Sequence, residues 1–253
     1  MAHHGALLPA GYSQLRLTEI DSTNSEALRR AGEGAGDRLW VTALAQTAGR
    51  GRQGRNWESR SGNLFASLLL RPRCPLGTSV QLAFVAGVAL FECVAAVAGG
   101  LAERLAVKWP NDLLLDGKKL GGILLESNQA PPNSAPAIVI GTGVNLASHP
   151  ELSEMPATDL ISHDVAVSPD AAFTELAGQT ARWLDIWARG EGWDTVRNAW
   201  AERSLPAGSP IRVRTGDDDI EGSYAGVDET GALIVTVASG EQIKLNAGDV
   251  FLL

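Results

Sequence analysis

Residues 80–97 carry apolar side chains on nearly every face of a helix, and a helix of that kind has to be covered on all sides. The longest apolar run within it, 82–91, stops at Glu92 and falls short of the ~18 residues that a membrane-spanning helix needs. It is therefore expected inside a globular core, ended by Gly99-Gly100. At roughly 100 to 200 residues per domain, a chain of 253 allows one large domain, or a medium one with a small companion. A composition 45% hydrophobic and 20% charged excludes a disordered chain. The N-terminus has no basic segment leading into an apolar stretch, so the protein is expected in the cytoplasm with no membrane role.

Around that helix, residues 15–20 alternate like a strand and run into Asp21-Ser22-Thr23-Asn24 and a helix, with Thr23 and Glu26 spaced as a capping box. Residues 39–45 and 64–70 read as strands. The loop between them, 46–62, is too long for a mere connector and is suspected of function. Short strand pieces are expected at 107–109 and 113–115. An Asp116-Gly117 hairpin leads into a strand at 120–126, and a Pro/Asn-rich turn at 130–136 precedes another at 138–144. Segments 169–189 and 193–203 are amphipathic helices with Phe173, Leu176, Leu184, Trp187 and Trp193 as core positions. At Leu205-Pro206 the character changes. Five short strands follow, at 211–214, 220–227, 233–237, 241–245 and 250–252, as in a small barrel. The expected domains are residues 1–205 and 206–253, the second too small to be stable without the first.

Cys74 and Cys93 have no metal-ligand or redox spacing, and His3, His4, His149 and His163 form no cluster. The cysteines are expected to be packing residues, and no metal site is expected. The net charge of −8 makes nucleic acid a poor partner, but the charge is uneven. Arg50, Arg52, Arg55 and Arg60 face a single Glu58 within eleven residues, a local +3 that leaves −11 elsewhere. Gly49-Arg50-Gly51-Arg52-Gln53-Gly54-Arg55-Asn56-Trp57 lets backbone approach a ligand while arginine forks meet phosphate or carboxylate; a solvated loop or a nucleic-acid contact are the alternatives. Lys108-Trp109-Pro110-Asn111-Asp112 with Gly117-Lys118-Lys119-Leu120-Gly121-Gly122 puts lysines and a carboxylate at one end of a sheet. Gly141-Thr142-Gly143-Val144-Asn145 ends a strand on an amide able to donate and accept.

Taken in this order, these strings resemble biotin protein ligases. The resemblance covers residues 15–147 in detail and nearly the whole chain in architecture. It implies an enzyme that uses ATP and Mg²⁺ to make biotinyl-5′-AMP and then biotinylates one lysine of a biotin carboxyl carrier domain. It also implies an α/β (α+β) fold: a mixed sheet flanked by helices, like the core of class II aminoacyl-tRNA synthetases, followed by an SH3-like barrel. Many members carry an N-terminal winged-helix repressor. Only about eleven residues precede the first strand here, so a monofunctional ligase without operator binding is expected. Whether it forms a homodimer stays open.

By the same resemblance, biotin meets Ser22, Thr23, Asn24, Gln46, Arg50, Gly51, Arg52, Lys119, Gly121 and Gly122, the first three with Gln46 serving the ureido group. The nucleotide meets Arg50, Arg52, Arg55, Trp57, Asn111, Lys119 and Asn145. Arg50, Arg52 and Lys119 clamp the two anions that react, and Asp112 orients or deprotonates the incoming lysine. Lys108 is a supporting charge, and the arginine loop is expected to order over the adenylate. The nearest rival is a lipoate or octanoate ligase or transferase of the same architecture.

Overall fold

A computed structural model describes residues 7–128, 136–151, 155–216 and 218–253. Seven strands, β1 (Ser13–Ile20), β2 (Leu39–Gln46), β3 (Leu64–Leu70), β4 (Leu105–Lys108), β5 (Asp112–Leu115), β6 (Lys118–Ser127) and β7 (Ile138–Val144), form one mixed sheet. Its order is β1-β2-β3-β7-β6-β5-β4, with β1 and β2 parallel and the other neighbours antiparallel. The turn expected at 130–136 falls almost wholly outside the described residues.

Strand alternation decides what covers each face. Val41, Leu69 and Val139 pack with Ala27 and Ala31 of α1 (Thr23–Gly32), while Trp40, Leu68, Leu70, Ile138 and Ile140 face the other way into the main core. That core is built around α3 (Leu82–Val97), with α4 (Pro169–Trp187) and α5 (Trp193–Glu202) packed against it. The expected core positions Phe173, Leu176 and Trp187 are buried there, and Leu184 and Trp193 pack on its margin. Together with the short α2 (Leu76–Ser79), the stretch Leu76–Val97 has 22 residues and holds an 18-residue window with a mean hydropathy of 2.1. By length and composition that would cross a membrane, which corrects the expectation drawn from 82–91. In the fold it is the central core helix.

The helix starts follow local chemistry. Ser168 caps α4 ahead of Pro169, whose missing N–H costs nothing in the first turn. The capping box expected at Thr23 and Glu26 is displaced by one residue. Ser22 is the N-cap, accepting from the Ser25 amide, and Glu26 instead holds Arg29 and Arg30 at 2.8 and 2.7 Å.

The five expected C-terminal strands are all present as β8 (Pro210–Thr215), β9 (Asp218–Val227), β10 (Leu233–Thr236), β11 (Gln242–Leu245) and β12 (Asp249–Leu252). They make an antiparallel sheet in the order β11-β10-β9-β8-β12. Its apolar side chains do not form a separate core: Ile211, Val213, Tyr224, Leu233, Val235 and Val250 belong to the same cluster as α3. The indoles of Trp109 and Trp193 donate to the Gly231 and Glu229 carbonyls at 3.1 and 2.7 Å, and Phe84 sits 5.1 Å from both Trp193 and Trp200. This joint brings β12 to the edge of the larger sheet.

Candidate active site

Helix α1 covers only part of its face of the sheet. Beyond its N-terminus the same face, from β3 across β7 and β6 to β5, floors a cavity of about 330 Å³. The floor is cleared by missing side chains. Gly122 and Gly143 are cross-strand partners, and the indole of Trp57 lies on them. A Cβ at Gly143 would come within 2.7 Å of the ring, and one at Gly122 within 3.2 Å. Gly121 is on the opposite face, against Leu90 of α3, and does not line the cavity. Successive strand residues point to opposite faces, so the expected Gly121-Gly122 pair contributes only Gly122.

At the α1 end the expected polar residues meet in one network. Gln46 Oε1 accepts from the Thr23 amide at 2.8 Å and from Thr23 Oγ1 at 3.1 Å, and its Nε2 donates to Ser59 at 2.8 Å. Asn24 donates to Glu126 at 2.7 Å and to the Leu124 carbonyl at 3.3 Å, with Ser67 Oγ 2.6 Å from its Oδ1. Ser22 Oγ accepts from the Ser25 amide and keeps its hydroxyl hydrogen for a ligand. Ser25, Ser59, Ser67 and Glu126 had no place in the sequence reading. Lone serines carry no pattern, and Glu126 becomes visible only through its partners.

The glycine-arginine loop is a folded hairpin. The Gly51 amide donates to the Arg55 carbonyl at 2.7 Å, and the Trp57 amide to the Gly49 carbonyl at 2.9 Å. Arg50 grips Glu126 with both oxygens engaged, at 2.9 to 3.2 Å, and donates to Ser25 at 2.6 Å. Arg52 reaches the Gly248 carbonyl at 3.2 Å and the Asn111 side chain at 3.4 Å, and Arg55 meets Asp249 at 2.8 Å. Burial lowers the Arg52 guanidinium from its ordinary value, against the pull of Asp249. Asp249 and Val250, on β12, line the cavity, a wall that only the joint between the two sheets could reveal.

Lys108 and Asp112 are opposite partners across the β4–β5 turn, 3.1 Å apart. Lys119 reaches the same carboxylate at 2.6 Å. A bulge puts it there. The β5–β6 register shifts between Leu113 and Leu114, so Lys119 shares a face with Gly122 while Leu120 is buried. Its stem lies 3.4 Å from the space over Gly122, and its ammonium 5.5 Å from the Trp57 ring centre. Lys118, one residue earlier, is exposed.

Burial pushes the Asp112 carboxyl up, but Lys108 and Lys119 outweigh it and hold the group below the ordinary carboxylate range. Burial lowers Lys108, which is only 3% exposed and also donates to the Val250 carbonyl at 2.6 Å. Asp112 is therefore committed to two ammonium groups. A carboxylate so stabilised is a poor base, which weighs for the orienting half of the expectation at Asp112 over the deprotonating half. Asn111 donates to the Ile123 carbonyl at 2.7 Å, and Asn145 to that of Thr158 at 3.1 Å; both line the cavity.

Five cations, Arg50, Arg52, Arg55, Lys108 and Lys119, therefore line the cavity beside the carboxylates of Glu58, Asp112 and Asp249, with Glu126 holding Arg50 from behind. Phe65, Leu124, Met155 and Val250 supply apolar wall between them. Trp57 Nε1 is buried without a hydrogen-bond partner among the described residues, a donor able to meet a ligand acceptor. Such a cavity suits an amphipathic molecule with an anionic end beside a polyanion. Among the described residues no three His, Cys, Asp or Glu could hold a metal ion.

Comparison with known proteins places these features in company. Residues 17–145 match the model of the Biotin/lipoate A/B protein ligase family, and residues 207–253 that of the Biotin protein ligase C terminal domain. The chain is 42% identical over 244 residues to the biotin–[acetyl-CoA-carboxylase] ligase of Paracoccus denitrificans, covering 93% of this chain and 98% of that protein. Its fold is similar to that of the Aquifex aeolicus biotin protein ligase in complex with biotin and ATP, with a TM-score of 0.77, 23% identity and coverage of 95% and 98%. It is also similar to the Leishmania major biotin protein ligase in complex with biotinyl-5-AMP, with a TM-score of 0.63, 26% identity and coverage of 93% and 99%.

Proposed function

The chain belongs to the Biotin/lipoate A/B protein ligase family, and on that footing we propose that it condenses biotin with ATP to biotinyl-5′-AMP and then passes the biotinyl group to a lysine of a biotin carboxyl carrier domain. One observation carries the reading of the site: the convergence of Arg50, Arg52, Arg55, Lys108 and Lys119 on a cavity floored by Gly122 and Gly143. In the first step a carboxylate oxygen of biotin attacks the α-phosphorus, and pyrophosphate leaves. Two anions must be held in contact, and Arg50, Arg52 and Lys119 supply the fixed positive charge that offsets their repulsion and stabilises the transition state.

The polar network of Ser22, Thr23, Asn24 and Gln46 meets the ureido ring. Gly51, Gly122 and the apolar wall hold the bicycle and its tail. Arg55, Trp57, Asn111 and Asn145 meet the nucleotide, Trp57 by walling the adenine. Asp112 and Asp249 are the lining carboxylates that would hold an Mg²⁺ ion brought in on the ATP phosphates, and the ion would supply charge neutralisation there.

In this reading residues 1–205 are the catalytic unit and 206–253 the module that closes it through Asp249 and Val250. The loop arginines turn inward onto Glu126 and Asp249, which supports an enzyme with no nucleic-acid partner. ATP–pyrophosphate exchange with Mg²⁺, run with biotin, lipoate, octanoate or no acid, tests the reading. Exchange with biotin alone is expected. Exchange driven by lipoate or octanoate in its place would refute it.

A further inference from the structure

Transfer to a carrier needs a base that the cavity interior does not supply. A lysine arrives as an ammonium, with an ordinary pKa of about 10.4, and has to lose a proton before its nitrogen can attack. Inside the cavity, Asp112 is committed to Lys108 and Lys119, Asp249 to Arg52 and Arg55, and Glu58 to Arg60, while Glu126 lies under Arg50.

At the rim stands a group that the ligase chemistry described so far does not use. The chain leaves β7 through Asn145, reaches the cavity wall again at Pro150, and lines it once more at Met155 and Ala157. His149 directly precedes the first of these wall residues, and Asp159 follows the last by two positions. Their side chains meet, His149 Nδ1 to Asp159 Oδ2 at 2.7 Å. Asp159 is 4% exposed, and its other oxygen accepts from the Ser162 amide at 2.7 Å. Burial pushes its carboxyl up, but the bonds from His149 and Ser162 prevail and hold it below the ordinary range, so it stays a charged acceptor. In the neutral ring a proton on Nδ1 satisfies that acceptor and leaves the lone pair at Nε2, which has no partner among the described residues.

The segment is held in place. Asn63 Oδ1 accepts from the amides of Leu146, Ala147 and Ser148 at 2.9 to 3.2 Å, and its Nδ2 donates to the Ser148 carbonyl at 2.8 Å. His149 lies in a shallow depression with Glu58, Arg60, Asn63, Ser148 and Pro150, and Glu58 and Pro150 also line the main cavity. The charged neighbours of the imidazole are Asp159 behind it, Glu58 paired with Arg60 across the depression, and Glu151 two residues on.

The geometry points to His149 as the group that takes the proton of the acceptor lysine at the cavity mouth, with Asp159 as its positioning residue. The inference rests on the ligase reading above. One proton of the ammonium passes to His149 Nε2, and the amine nitrogen forms a C–N bond with the acyl carbon of the adenylate. The C–O bond to phosphate then breaks and its electron pair leaves on AMP. Of the two hydrogens left on nitrogen, one goes to the departing phosphate or to solvent and the other stays on the amide.

The test separates the half-reactions in the full chain. Wild type, His149→Gln and Asp159→Asn are assayed for biotin-dependent pyrophosphate exchange, and then for single-turnover transfer from preformed biotinyl-5′-AMP to a carrier domain between pH 6 and 10. His149→Gln is expected to keep exchange within about twofold and to lose transfer by about 10²-fold at neutral pH, the lower end of what a general base supplies. The deficit should shrink as pH approaches the lysine's own range. Asp159→Asn should show the same pattern in weaker form. Transfer unchanged in His149→Gln, a loss equal at every pH, or a matching loss of exchange would each overturn the proposal. Failure of exchange in the wild type would instead sink the ligase reading.

Discussion

Gly141→Ala adds one methyl group to a strand whose backbone would accept it, and the structure places that methyl in the Asn24 carboxamide. The new Cβ would fall on Asn24 Oδ1, 2.8 Å from Cγ and 2.9 Å from Nδ2. Asn24 has no room to yield. It is 4% exposed and tied to Glu126, the Leu124 carbonyl and Ser67. Displacing it loses a neutral hydrogen bond worth about 1 kcal/mol and one to a carboxylate worth about 1.5–3 kcal/mol. Overpacking adds about 1–3 kcal/mol, and because these overlap we expect a total of about 3–5 kcal/mol. At roughly 2–4 °C per kcal/mol for a chain of this size, Tm falls by roughly 6–20 °C. Calorimetry on Gly141→Ala, Asn24→Ala and the double variant measures the coupling. Once Asn24 is gone the methyl has space, so the double variant should be no less stable than Asn24→Ala, and the coupling should equal the whole Gly141→Ala loss of about 3–5 kcal/mol. Additive losses, or a Gly141→Ala protein within about 0.5 kcal/mol of wild type, would refute the steric argument.

Four further outcomes follow from the same geometry. Asp112→Asn leaves Lys108 and Lys119 facing each other in a buried site, and urea unfolding should show a loss of about 3–5 kcal/mol. The Arg29 guanidinium, bonded to Asp21, lowers that carboxyl from 3.8 to about 2. Its folded value lies below its unfolded one, so the stability it adds is complete above about pH 4 and is lost as pH falls toward 2; Asp21→Asn should flatten that part of a Tm–pH curve. Burial pushes the Cys93 thiol up to about 12, so in the native protein a thiol reagent should modify the half-buried Cys74 and reach Cys93 only after denaturation. Truncation after residue 205 removes Asp249 and six buried members of the main core, Val250 among them, and biotin-dependent exchange should fall at least tenfold. A truncated protein with full exchange would show that the C-terminal module is dispensable for the cavity.

Much of this was legible along the chain. Alternation in 15–20, the apolar strand runs at 39–45, 64–70 and 138–144, the all-round apolar helix and the five short C-terminal strands are local patterns, which a sequence displays directly. The same holds for the glycine-arginine string and for Lys119 with Asp112, because turn chemistry brings near neighbours together. The tertiary structure decided what depends on facing and distance. A single-residue bulge turned Lys119 inward, strand parity sent Gly121 away from the cavity, and the joint between the two sheets put Asp249 under Arg52 and Arg55. The sequence determined which groups the chain owns and which local elements carry them. Only packing across almost 200 residues of separation determined which charges meet, because a charge's partner is set by the low-dielectric space they share, and that space exists only in the fold.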